Sequence, residues 1–260
     1  MARVIGDIKI KGTLDDLVFY ETQTGENLVR MKSRAFLTSK EFHSNPIYQP
    51  IIDQGKEFGF AAKLSKTFRS LVHNFNEKAK DQSYAGRAIK LLLEIIKEDT
   101  LNIAGQRTMA EAMKEHEVAC YLEGFEGNKL RPLSKVLLLP WHWNAAASQV
   151  ELVGFNALEH IDWPAEASQV TLCVGRTKWD FESPDFVTHY SEMVTFEKLS
   201  SVADLNLHVV EPSGAGHSLL YFYIGFSEKQ RKIIKPLKRI HNTVSLCKVF
   251  DEKNNLKEAL

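Results

Sequence analysis

From about residue 118 onward the apolar residues of this chain change their period, and no other feature constrains the fold as much. Before that point they recur at separations of three and four. Ile47, Ile51, Phe58, Ala61, Phe68, Val72 and Phe75 follow an Asn45-Pro46 start, with Asn as cap and proline at the first helical position. Ser83 caps a second helix with Ile89, Leu92, Leu93 and Ile96 in one stripe, and Met109, Ala112 and Met113 mark a third. Gly55 and Gly59 each cost about 1 kcal/mol against Ala in a helix, so they point to a close crossing or a break. Beyond 118 the period is two. Val170, Leu172 and Val174 alternate with Thr171 and Cys173, and Leu205, Leu207 and Val209 alternate with Asn206, His208 and Val210. The run Leu219 to Phe226 is apolar on both faces.

This ordering predicts an α+β fold. A β-hairpin and helical module is expected over residues 1–120, followed by an antiparallel Ig-like β-sandwich of about seven strands over 121–260. The hairpin is read from Leu17 to Thr22 and Glu26 to Lys32 around a short Gly-containing turn, with a third strand over Asp7 to Lys11 and the helices covering one face. Composition shifts at the same place. All four tryptophans lie between Trp141 and Trp179, and six of the eight prolines fall at or after Pro132. Residues 118–131, with Gly124, Gly127 and Asn128, are therefore expected to form a boundary open to limited proteolysis.

Charge narrows the functions. Lys plus Arg and Asp plus Glu both number 33, so no global field steers the chain to nucleic acid or to an anionic membrane. Locally, residues 121–210 carry 6 basic against 12 acidic side chains and 211–260 carry 9 against 5. No apolar run approaches the roughly 20 residues that cross a bilayer, and Asp7 and Lys9 interrupt what would be a signal-peptide apolar region. Three widely spaced cysteines, Cys120, Cys173 and Cys247, match neither a disulfide framework nor a zinc site. The expected setting is the cytoplasm, or an exported location reached without a signal peptide.

Gly12 with Leu17-Val-Phe-Tyr20, Val29-Arg30-x-Lys32, Glu57-Phe-Gly59, Phe68-Arg69, Gly105-x-Arg107 and Leu122-x-Gly-Phe-Glu-x-Asn128 together resemble a large group of uncharacterised Bacteroidetes proteins. The resemblance implies a Gly-rich N-terminal hairpin carrying a Tyr and an Arg, here Tyr20 and Arg30. It also implies a helical middle and a β-rich end with a strand pair like Leu219 to Phe226 and Thr243 to Val249. It implies no activity and no catalytic residues. Gln230-Arg-Lys stands where that group's last hairpin carries Asn-Gly.

Several segments carry residues with chemical potential. Gly216-His-Ser218-Leu-Leu220 resembles a nucleophile elbow but lacks the second glycine, and a hairpin turn over Pro212 to His217 is the plainer reading. His116-x3-Cys120 and His160-x-Asp162 each offer two ligands where a metal needs three or four, so no metal and no cofactor is expected. Trp141 and Trp143, with Trp163 and Trp179, suit either an aromatic cleft or a sandwich core. Glu182, Asp185, Glu192 and Glu197 suit either paired carboxylates for glycoside chemistry or a solvated face. Lys229, Arg231, Lys232, Lys235, Lys238, Arg239 and Lys248 form the one dense basic cluster, without the aromatic stacking of a single-strand binder.

The leading expectation is a non-enzymatic structural, scaffold or binding protein acting on a protein partner or a second copy of itself. Its candidate binding residues are Tyr20, Arg30, Trp141, Trp143, Arg231, Lys232, Lys235, Lys238 and Arg239. The N-terminal strands would mediate association through open edges, unless Lys9, Lys11, Asp15, Asp16 and Arg30 block them. The alternatives are a carbohydrate-active hydrolase using residues 141–197 and a nucleic-acid-associated protein using the basic turn.

Overall fold

The computed structural model describes residues 2–3, 10–22, 24–32, 38–231 and 233–250, and the chain divides into two compact units, Met1–Pro50 and Ile51–Leu260. The compositional shift at 118–131 falls inside the second unit. There Gly124 and Gly127 donate backbone hydrogen bonds to Leu246 and Val244 at 2.8 and 2.7 Å, so the segment is stitched into a sheet. What changes at that point is the hydrophobic period within one body.

The first unit contains a four-stranded sheet in the order β1 (Ala2–Arg3), β4 (Asn27–Met31), β3 (Leu17–Glu21), β2 (Gly12–Leu14). The expected hairpin is β3–β4, with Val18 opposite Arg30 and Tyr20 opposite Leu28. Of the expected third strand, residues 7–9 lie outside the described residues. Ile10 and Lys11 are not in a strand, and pairing with β3 begins at Gly12. Only Asn27 is buried among the described strand side chains of this unit. A short helix α1 (Ser39–Ser44) follows, closed by a capping box in which Thr38 and Glu41 satisfy each other's backbone.

Asn45 caps a single 3-10 turn, Pro46–Tyr48, before the long helix α2 (Gln49–Ser70) begins. The expected stripe splits there. Ala61 and Phe68 are buried, whereas Ile51 and Phe58 are exposed and Glu57 is buried in their place, accepting the Gly105 N–H at 2.8 Å. Then come α3 (His73–Ala79), α4 (Tyr84–Lys97), α5 (Met109–Ala112) and α6 (His116–Ala119). In α4 the residues Ala88, Leu92, Ile95 and Ile96 form the buried face, as the spacing predicts.

The rest of the chain supplies β5 (Phe125–Glu126), α7 (Leu133–Val136), β6 (His142–Asn144), β7 (Gln149–Phe155), α8 (Ala157–His160), β8 (Gln169–Trp179), β9 (Phe186–Tyr190), β10 (Val194–Glu197), β11 (Ala203–His208), β12 (His217–Gln230), β13 (Ile233–Pro236) and β14 (Thr243–Phe250). A seven-stranded antiparallel sheet runs β10-β8-β12-β14-β5, with β9 also on β8 and β13 also on β12; a smaller sheet runs β11-β7-β6. The central strands β8, β12 and β14 of the large sheet are buried on both faces. One face presents Cys173, Trp179, Leu219, Tyr221, Tyr223, Val244 and Leu246 to Phe68, Phe75, Leu92, Ile95 and Met113 of the helical region. The other presents Val170, Leu172, Val174, Leu220, Phe222, Ile224 and Phe226 to Val150, Leu152, Leu205 and Leu207 of the small sheet.

Helices, large sheet and small sheet therefore make three layers. This accounts for the doubly apolar run in β12, because neither of its faces meets water. The helices spend their apolar faces on the C-terminal sheet, where the sequence reading has them covering the N-terminal hairpin. Among the described residues, no helix is long and apolar enough to cross a membrane.

Candidate anion-binding site

The alternation of β8 builds the site. Its residues facing the small sheet run Val170, Leu172, Val174, and then Arg176 and Lys178, so an apolar stripe ends in two cations pointing the same way. Their side chains are only 5% and 9% exposed. An unpaired charge buried so deeply is unfavourable by several kcal/mol, and every neighbouring segment contributes to relieving it.

From β12, Ser218 accepts a hydrogen bond from Arg176 Nε at 2.7 Å. From the β6–β7 turn, Ser148 accepts one from Arg176 Nη1 at 3.1 Å while donating its own proton to the Val209 carbonyl at 2.8 Å. Ser148 holds a left-handed backbone, φ 50°, that a non-glycine residue adopts at some cost, and this aims its hydroxyl inward. The guanidinium carbon lies 5.3 Å from the Trp143 ring and 5.1 Å from that of Phe250. Glu211, on the irregular segment after β11, places Oε1 3.1 Å from Arg176 Nη2 and 3.7 Å from Lys178 Nζ. Burial pulls the Arg176 pKa below the ordinary arginine value, and Glu211 pushes it back.

A hollow of about 330 Å³ opens against this cluster, lined by Trp143, Ala145, Ser148, Arg176, His208, Val210 and Glu211. Two cations thus share one carboxylate that is itself 41% exposed, and that carboxylate and Arg176 stand at the wall of a cavity sized for a small molecule. Chemically, the arrangement can hold an anion. The buried Arg176 guanidinium supplies donors at the cavity wall, the Lys178 ammonium meets the same carboxylate, and the indole and Val210 supply apolar contact.

The structure disperses most of the residues singled out from sequence. Trp143 lies in the site and Trp141 packs at the edge of the same core. Trp163 is also on that side, donating Nε1–H to the Ala157 carbonyl at 2.7 Å. Trp179 is fully buried on the opposite face of the large sheet, against Phe181 and Phe68, so the four indoles form no common cleft. The acidic residues are likewise occupied separately. Glu197 pairs with Lys229 at 2.8 Å, Asp185 accepts from Ser183 at 3.2 Å, and Glu182 borders a different cavity beside Phe60 and Lys63.

Arg231 sits with φ 57° at the tip of the β12–β13 hairpin and Lys235 is exposed on β13, whereas Lys238 and Arg239 are exposed beyond the far end of that strand, Arg239 bordering a cavity with Glu77 and Lys78; Lys232 lies outside the described residues. In the first unit the Arg30 guanidinium lies 5.8 Å from the Tyr20 ring.

The Pro212 to His217 segment joins strands of two different sheets, so it is a crossing between layers and not a hairpin turn. Ser218 is an acceptor for Arg176 and is fully buried, which removes it as an elbow nucleophile. His160 Nδ1 accepts the Asn156 N–H at 3.0 Å and Asp162 pairs with Arg131; Cys120 is exposed, and the His116 side chain lies outside the described residues. No group of three or more His, Cys, Asp or Glu among the described residues is placed to hold a metal ion.

Sequence reasoning passed over Arg176, Lys178 and Glu211. The readable signal was the two cations at inward positions of a strand whose preceding inward positions are all apolar. Comparison of the chain with protein-family models, curated proteins and solved structures gives no match.

Proposed function

We propose that this is a non-enzymatic binding protein whose recognition site is the hollow at Arg176 and Lys178, and that its ligand carries a negative charge. The observation behind this reading is the pair of deeply buried cations sharing a single half-exposed carboxylate beside a cavity. Recognition is favoured over catalysis because the hydroxyl nearest the guanidinium, Ser218, faces a donor that cannot take its proton. The packing of the small sheet on the large one supports describing the C-terminal strands as an Ig-like sandwich to which a helical layer has been added.

Thermal unfolding at constant ionic strength in acetate, benzoate, phosphate or chloride tests the function. A saturable, ion-specific rise in Tm is expected for the wild type, and it should be lost in Arg176→Gln and reduced in Lys178→Met. Equal Tm in all four salts would reject the reading.

A second reading, self-association through the N-terminal sheet, is favoured by one row across that sheet. Leu14 pairs with Leu17 and Leu17 with Met31, and all three are exposed, at 65%, 37% and 66%. Such a row suits contact with the same row of a second copy. Light scattering of the wild type and of Leu14→Lys with Met31→Lys decides it: a dimer that the double substitution turns into a monomer is expected, and a monomeric wild type excludes it.

A further inference from the structure

Resting on the proposed binding site, we infer that Glu211 sets its charge selectivity, so that the ligand is an organic monocarboxylate and polyanions are disfavoured. The basis is a charge count around two buried cations and the one half-exposed carboxylate that meets both. Arg176 and Lys178 contribute two positive charges, and Glu211 returns one negative charge through the single oxygen Oε1, which faces both cations. A guanidinium prefers two parallel contacts to a carboxylate, so one such contact leaves donor capacity on Arg176. The shortfall is one negative charge. A monoanion entering the hollow balances it, whereas a dianion would bring a second charge close to Glu211, which lines the same hollow and repels it.

Position supports this role. Just upstream of Glu211 the chain is fastened, by Val209 N–H on the Ser148 carbonyl at 3.0 Å and by His189 Nδ1 on the Val210 carbonyl at 3.2 Å. Downstream, Gly214 lies 3.8 Å from Lys178 Cγ at the nearest point a Cβ would reach, and Gly216, at φ 97°, fits where a Cβ would strike the Trp179 backbone. The carboxylate thereby follows directly on backbone anchored at Val209 and Val210. The apolar part of the wall, Trp143 with Ala145 and Val210, suits the body of an organic acid better than an inorganic ion.

Titration calorimetry at pH 8, where free histidine is neutral, compares benzoate, isophthalate and inorganic phosphate on the full chain. The wild type should bind benzoate at least tenfold more tightly than isophthalate or phosphate. Glu211→Gln should bind all three more tightly and bring the dianions level with benzoate or ahead of it, while Glu211→Asp keeps the wild-type order. A wild type that prefers phosphate, or a benzoate-to-isophthalate ratio that Glu211→Gln leaves unchanged, overturns the inference while leaving the anion site standing. If neither protein binds any of the three, the site itself is rejected and the inference with it.

Discussion

Glu126→Gln should stabilise the protein at pH 8 and leave it unchanged or slightly weaker at pH 4.5. In the native chain, Glu126 Oε1 accepts the Leu133 N–H at 3.0 Å and the Ser245 hydroxyl at 3.1 Å, while Oε2 is buried with no partner. Burial outweighs those two bonds and the nearby Arg87, and it pushes the carboxyl from 4.5 up to about 7. At about 1.4 kcal/mol per pH unit, ionising it in the folded state costs about 3 kcal/mol relative to the unfolded chain. The sign follows from proton counts. Between 4.5 and about 7 the folded state holds a proton that the unfolded state has released, so wild-type stability falls as pH rises through that window.

Gln keeps the acceptor for Leu133 and Ser245 and removes the titration. Its NH₂, placed where Oε2 lacks a partner, gives back about 1 kcal/mol. The net expectation is a gain of about 2 kcal/mol at pH 8 that vanishes near pH 4.5. Urea unfolding of both proteins in half-unit steps from pH 4.5 to 8.5 measures the difference directly. A difference that does not vary with pH, or a variant less stable than wild type at pH 8, would refute the reasoning.

Asp99 behaves in the opposite sense: despite burial, donors from Asn102, Thr108 and Leu101 hold it at about 2, below its usual 3.8. It therefore contributes stability above pH 4 that is lost as pH falls toward 2, and Asp99→Asn should cost about 2 kcal/mol at pH 7 by urea unfolding while flattening the acid limb. Gly216→Ala adds a Cβ 2.2 Å from the Trp179 carbonyl oxygen at φ 97°, and a loss of roughly 3 kcal/mol or more is expected by the same assay. Arg231→Ser with Lys235→Ser, at exposed positions of the β12–β13 hairpin, should change stability by less than about 0.5 kcal/mol; a larger loss in a thermal melt would mean that the hairpin is packed.

The strands were legible where burial imposes a period. Val170, Leu172 and Val174, then Leu205, Leu207 and Val209, alternate because one face meets a core, and Leu219 to Phe226 does not alternate because both faces do. The β3–β4 hairpin was legible from its turn and its β-branched residues. What covers each face was not, because an apolar stripe carries no address. The stripe of α4 fits the back of the large sheet as well as it would fit a hairpin. Ile51 and Phe58 share the period of the buried residues and yet are exposed, while Glu57 is buried because the Gly105 N–H meets its carboxylate.

The candidate site was half legible. Trp143 was chosen for its ring, but its partners Arg176, Ser218 and Glu211 come from three other segments. Arg176 and Lys178 interrupt an apolar pattern, and a pattern reader takes such an interruption as the end of the strand. In the fold the same break makes a polar pocket at the open end of the layer between the sheets.

The most direct measurement follows the Arg176 Nε–H resonance by nitrogen-15 NMR, identified by its absence in Arg176→Lys, during titration with benzoate. This proton is buried and bonded to Ser218, so it reports on the guanidinium alone. The account predicts a saturable shift of that resonance with the same midpoint as the benzoate-induced rise in Tm. An Arg176 signal that stays in place while Tm rises would put the anion elsewhere and contradict the account.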